Sequence, residues 1–217
     1  ILFVAAEAAP FAKVGGLGSV MYSLPVALRG LGHDVRIMLP RYGTMDIESY
    51  RLTMECEGLQ VPTGNPEKPN LICNVKKYTS NAKDPESPVT AYFLENQEYY
   101  EQRANVYGYG DDPVRWALLC RGVLEFLKVS DWQPEVIAAS DWTTGFLPNY
   151  LHVDYAHEKK LSSITTAFLI HNLYHQGMFD HHFVQEEDRD DGHSPLPAFF
   201  SPKLLTANGM QRGILYA

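Results

Sequence analysis

Cysteine is scarce in this 217-residue chain. Cys56, Cys73 and Cys120 are an odd set at wide spacing, which makes neither a disulfide framework nor a zinc motif. They read as reduced core thiols of a cytoplasm-like compartment, in line with the lack of any Asn-x-Ser/Thr acceptor site. No apolar run approaches the roughly 18 residues that span a bilayer, and no signal peptide is visible. Positive charge is short as well: 18 Lys and Arg stand against 26 Asp and Glu, for a net charge of −8. That excludes a general nucleic-acid or membrane-surface role, which needs a basic face, and leaves Lys13, Arg36 and Arg41 as local basic candidates. Internal repeats and low-complexity tracts are absent. An initiator methionine is lacking, Ile1 falls inside a strand pattern, and the last residues, 209–217, run as helix without a cap. The chain is therefore expected to be a piece of a longer protein, cut at both ends.

Hydrophobic residues make up 45% of the chain, enough for a sizeable core. Ile1–Ala6 is a continuous apolar run of the kind a central parallel strand needs. A helical rhythm follows from Leu17 to Leu31, with Pro25 inside it as an expected kink. Val35–Leu39 reads as the next strand, completing a βαβ unit. Between about 50 and 95, three short alternating runs (Arg51–Cys56, Leu71–Lys77 and Val89–Leu94) separated by Pro, Gly and Asn predict an inserted β-hairpin region. Pro113–Lys128 predicts a helix, Val136–Ala139 a strand, Trp142–His152 a helix containing Pro148, Ile164–Ile170 a strand, and Leu204–Ala217 a final helix. The acidic cluster from Glu186 to Asp191 reads as a solvated loop. Strands interleaved with helices imply an α/β fold, a doubly wound parallel sheet of Rossmann-like type, with residues 1–217 as a single domain.

In such sheets ligands bind beyond the carboxyl ends of the strands, and the polar residues gather there. Glu7 and Lys13 follow the first strand, Asp141 and Trp142 the Val136–Ala139 strand, His171 and Asn172 the last. The loop Lys13-Val14-Gly15-Gly16-Leu17-Gly18 lies between strand and helix, where glycines admit close backbone approach and helix N–H groups favour anions. Alternatives stand beside that reading. The loop could be a turn that only packs strand against helix. As a dinucleotide fingerprint it fails, because Met21 stands at the third glycine and no acid ends the second strand; the Gly-Lys-Ser/Thr of a P-loop is missing too. Asp141 fits both a helix cap and a ligand contact, and Trp142 both core packing and a sugar face. His171, His175, His181 and His182 would need a helix or a fold to converge as metal ligands, whereas Gly177 argues for a loop, so no metal is expected.

These residues also resemble a known family. Ala6-Glu7-Ala8-Ala9-Pro10-Phe11-Ala12-Lys13-Val14-Gly15-Gly16-Leu17-Gly18 is similar to the N-terminal signature of bacterial glycogen synthases and plant starch synthases. Tyr109 with Arg115, Asp141-Trp142-x-Thr144-Gly145, Ile170-His171-Asn172-Leu173-x-x-Gln176-Gly177 and Gly213–Ala217 resemble later blocks of that family, in the same order. The resemblance implies a retaining glucosyltransferase of two Rossmann-like domains, of which this chain is the N-terminal, acceptor-side one and a missing C-terminal Rossmann domain holds most of the nucleotide. It implies a nucleotide-glucose donor, ADP-glucose in bacteria and plastids, an α-1,4-glucan acceptor, no metal or cofactor, and a cytoplasmic (in plants, plastid) location. By the same resemblance Lys13, Gly15 and Gly16 would meet the donor phosphates, His171 the transferred glucose, and Tyr109, Asp141 and Asn172 sugar hydroxyls, with Gln176 in the same binding segment. The chain departs from the pattern at Ser19, where the family has Asp, and at Ser140 and Thr143, where it has His. Those departures favour two alternatives, a glucan-binding module without catalysis and a divergent related glycosyltransferase.

Overall fold

The computed structural model describes residues 1–81, 83, 87–177 and 184–217. One seven-stranded sheet organises them, built from β1 (Leu2–Val4), β2 (Arg36–Pro40), β3 (Thr53–Pro62), β4 (Asn70–Tyr78), β5 (Thr90–Glu95), β6 (Val136–Ser140) and β7 (Thr165–Leu169) in the order β3-β4-β5-β2-β1-β6-β7. The five strands from β5 to β7 are parallel, and β4 pairs antiparallel with both β5 and β3. The helices are α1 (Gly16–Gly30), a short α2 (Ile47–Tyr50), α3 (Asp112–Val129), α4 (Phe146–Val153) and α5 (Gly209–Tyr216).

The two-residue period of the strands divides the core into two layers. Leu2, Val4, Met38, Tyr92, Leu94 and Ile137 point to one face and pack with Trp116, Leu119 and Val123 of α3. Phe3, Ala5, Ile37, Leu39, Phe93 and Ala138 point to the other, where Met21, Leu17 and Val20 of α1 cover them. Both faces of the sheet are thus buried, which is why β1, β2 and β5 are apolar without alternation. α3 is buried almost all round: only Arg121, Lys128 and Val129 rise above full burial. Gly122 lets it settle on the sheet, since a Cβ there would lie 2.6 Å from Leu94 Cδ2.

Several elements differ from the sequence reading. The 50–95 region forms the expected antiparallel pairs, β3–β4 and β4–β5, but Val89–Leu94 is more than a hairpin arm. It forms β5, which pairs parallel with β2 inside the sheet, because its side chains (Ala91 to Leu94) have core to fill on both faces. Helix α1 runs unbroken through buried Pro25. The Trp142–His152 segment is a 3₁₀ turn, Trp142–Thr144, followed by α4, and the terminal helix is likewise a 3₁₀ turn, Pro202–Thr206, and then α5. Asn208 separates the latter pair as a cap, accepting the Gln211 N–H at 3.0 Å. The acidic cluster is only partly a solvated loop. Glu186, Glu187 and Asp188 are exposed, but Asp190 forms a two-pronged ion pair at 2.5 and 3.0 Å with Arg212 of α5, which is itself buried. Asp191 accepts the Ser194 N–H and hydroxyl and the His193 N–H, and these bonds hold its carboxyl down to about 2. Its closed turn is therefore kept through ordinary pH and lost only as pH falls toward that value.

One buried hydrogen bond ties the chain just past β1 to the end of β2. Buried Tyr42, just beyond β2, donates to the Ala6 carbonyl at 2.6 Å. Tyr42→Phe leaves that carbonyl without its partner and is expected to lower stability by about 1–2 kcal/mol, read as a shift in the denaturant midpoint with an unchanged m-value.

Candidate active site

Strand β1 is the switch point of the sheet: the chain steps from it to β2 and β5 on one side and to β6 and β7 on the other. Loops leaving the carboxyl ends of β1 and β6 therefore diverge and open a cleft between them. Its volume is about 600 Å³. The glycine loop and start of α1 (Val14, Gly15, Gly16, Leu17, Val20) form one wall, and His171, Asn172 and His175, beyond β7, form the other. Asp141, Trp142 and Thr143 follow β6 between them, with Glu7 and Tyr107 completing the lining.

Both walls are held by a carboxylate from a strand end. Glu7, buried just after β1, accepts the Val14 and Gly15 N–H groups through Oε2 at 2.6 and 2.9 Å, and the Tyr107 hydroxyl through Oε1 at 3.0 Å. Burial, reinforced by the Glu7 charge, pushes the Tyr107 hydroxyl far above the usual phenol range, so it stays a donor. Asp141 does the same for the opposite wall: its Oδ1 accepts the His171 N–H at 2.7 Å and the Asn172 N–H at 3.3 Å. To reach them its backbone adopts φ 58° and ψ −177°, a region that side-chain-bearing residues avoid. It is kept there by Asp141 N–H donating to the Leu169 carbonyl and by Thr144 N–H donating to the Asp141 carbonyl. Beneath the cleft runs an aromatic series, Tyr107 with its ring 5.8 Å from that of buried Trp116, and Trp116 edge-on to Trp142 at 5.9 Å.

Of the residues singled out from sequence, Gly15, Gly16, Asp141, His171 and Asn172 come together on this cleft. Lys13, Tyr109 and Gln176 do not line it. Lys13 is exposed at the loop's outer end. Tyr109 turns away, its hydroxyl accepting the Asn105 N–H at 2.9 Å and its ring lying against Arg103 and Arg115. Tyr107, two residues earlier, takes the cleft position. Gln176 braces the wall from behind: its side chain accepts from Asn208 and donates to the Leu173 carbonyl, and its own carbonyl accepts the Met210 N–H. Two of the loop amides offered to an anion, those of Val14 and Gly15, already belong to Glu7; the open helix N-terminus begins at Gly16. The departures also sort themselves. Ser140 is wholly buried against Met21, whereas Thr143 lines the cleft. His181 and His182 lie outside the described residues. Among the described residues no group of His, Cys, Asp or Glu is arranged to hold a metal, and no helix is long and apolar enough to cross a membrane.

Sequence reasoning placed Glu7 at the strand end but gave it no site role. The signal was there, an acid directly after an apolar strand and one turn before a glycine loop. Tyr107 carried no such signal.

A doubly wound sheet with a cleft at its switch point, between the β1 and β6 loops, defines a Rossmann-like α/β domain. Residues 1–217 match the model of the starch synthase catalytic domain, and the chain belongs to that family. It is 40% identical over 192 residues to the glycogen synthase of Geobacillus thermodenitrificans, covering 88% of this chain and 38% of that one. To the glycogen synthase of Exiguobacterium sibiricum it is 38% identical over 182 residues, covering 82% and 36%. The catalytic domain of starch synthase IV from Arabidopsis thaliana, bound to ADP and acarbose, superposes with a TM-score of 0.71 at 31% identity, over 81% of this chain and 34% of that one. The chain thus spans a little over a third of the length of these relatives.

Proposed function

We propose that this chain is the N-terminal, acceptor-side half of a retaining glucosyltransferase that extends an α-1,4-glucan from a nucleotide-glucose, with ADP-glucose as donor. The observation that carries it is the convergence of Gly15 and Gly16, Asp141 and Trp142, and His171 and Asn172 on one cleft at the switch point. Family membership, the glycogen synthase names of its relatives and the ADP and acarbose of the Arabidopsis domain support the same reading. In this scheme the α1 N-terminus, with the Lys13 charge at the outer end of its loop, offsets the charge that grows on the leaving nucleotide. His171 lies against the transferred glucose, Asn172 takes sugar hydroxyls, and the Tyr107–Trp116–Trp142 series gives the apolar sugar face a floor. The gain is mainly in positioning the acceptor for front-face attack. A C-terminal Rossmann domain beyond residue 217 supplies most of the nucleotide contacts, and the compartment is cytoplasmic, or the plastid in a plant.

The test is transfer of labelled glucose from ADP-glucose to glycogen by the full-length protein. Incorporation is expected, and the isolated 1–217 chain is expected to give none. A folded full-length protein that binds maltose without extending glycogen would establish the glucan-binding module instead.

A further inference from the structure

We infer that Glu7 is a positioning residue for donor binding, an inference that rests on the glucosyltransferase reading above. Three donors converge on its buried carboxylate: the Val14 and Gly15 amides on one oxygen and the Tyr107 hydroxyl on the other. Those bonds span 100 residues of sequence, so Glu7 links the end of β1, the glycine loop and the segment before α3 into one unit. Gly18 makes room for it, because a Cβ there would stand 2.9 Å from Glu7 Oε2 and 3.2 Å from the Lys13 side chain.

The arrangement divides the work of the loop amides. Val14 and Gly15 are spent on Glu7, so the loop cannot wrap a phosphate with all its N–H groups, and the free ones at the start of α1 are held at a fixed angle to the cleft. A carboxylate bonded to three donors is difficult to displace, since each charge-assisted bond is among the stronger ones a protein makes. Glu7 also lines the cleft, so a diphosphate laid directly on it would meet like charge. The diphosphate therefore sits at the helix start, on Gly16 and Leu17, with the sugar end of the donor toward Glu7.

The test uses the full-length protein and three variants, with steady-state kinetics on ADP-glucose and glycogen and hydrogen–deuterium exchange across residues 11–18. Glu7→Ala is expected to speed exchange of the loop amides tenfold or more and to raise KM for ADP-glucose at least tenfold, with a smaller fall in kcat. Tyr107→Phe, which removes one of the three bonds and keeps the ring, should move both by two- to fivefold. Glu7→Gln keeps an oxygen for the two amides and should stay within threefold of wild type. Glu7→Ala with unchanged exchange and KM overturns the inference, and so does Glu7→Gln as impaired as Glu7→Ala, which would assign the effect to charge. If the wild-type protein transfers no glucose, the function proposed above fails, and exchange alone then decides whether Glu7 holds the loop.

Discussion

Gly145→Ala is expected to cost at least about 3 kcal/mol of stability, the upper range for overpacking, because the obstacle is backbone. The turn after β6 and the start of α5 touch main chain to main chain. A Cβ on Gly145 would lie 1.7 Å from the Gly209 carbonyl oxygen, and one on Gly209 would lie 2.2 Å from the Trp142 carbonyl oxygen. No rotamer relieves such an overlap. The two segments must part, and Trp142 and the His171–Gly177 loop move with them, since Gln176 is tied to Met210 and Asn208. A melting temperature lowered by roughly 10 °C is expected for a domain of this size. A variant melting within 2 °C of wild type would mean that these backbones do not meet.

Asp141→Ala is expected to lower kcat/KM for glucan extension by ~100-fold in the full-length protein, the scale of a misplaced catalytic wall. One carboxylate oxygen holds the His171 and Asn172 amides, and the strained backbone at Asp141 aims it there. Without the carboxylate the His171 end of the loop loses its tie to the β6 end, and only the Gln176 end stays anchored, through Met210 and Asn208. Asn is the informative control: its amide oxygen accepts the same two bonds, and it tolerates positive φ better than most residues. Asp141→Asn should recover to within about tenfold of wild type. If it remains as inactive as Asp141→Ala, the charge acts on the sugar directly and the loop-holding account is wrong. The role inferred by resemblance, a sugar-hydroxyl contact, and the role seen in the structure, a brace for His171, are separated by that comparison.

The gap between those two roles shows what kind of information each source held. Residues such as Asp141 and His171 were legible because they follow apolar strands, and the carboxyl ends of parallel strands are where a doubly wound sheet places its ligand. Tyr109 and Tyr107 could not be told apart in that way. They sit in a loop with no period, and which ring enters the cleft depends on Glu7, a hundred residues earlier in the chain. The second pairing of β5 was lost for a similar reason: its antiparallel neighbour β4 is close along the chain, but its parallel partner, β2, lies some fifty residues away.

The sequence by itself determined the class of fold, the order of its strands and helices, and the strand ends from which the site is assembled. Those depend on local periodicity, on glycine and on polar residues at fixed offsets from apolar runs, all of which are written along the chain. Only the tertiary structure decided that the glycine-loop amides are shared with Glu7, that Asp141 braces the opposite wall, and that Asp190 leaves the acidic loop to pair with Arg212. Each of these is a hydrogen bond between groups distant along the chain or between loops without a repeat. Its partner is set by how the sheet brings the strand ends together.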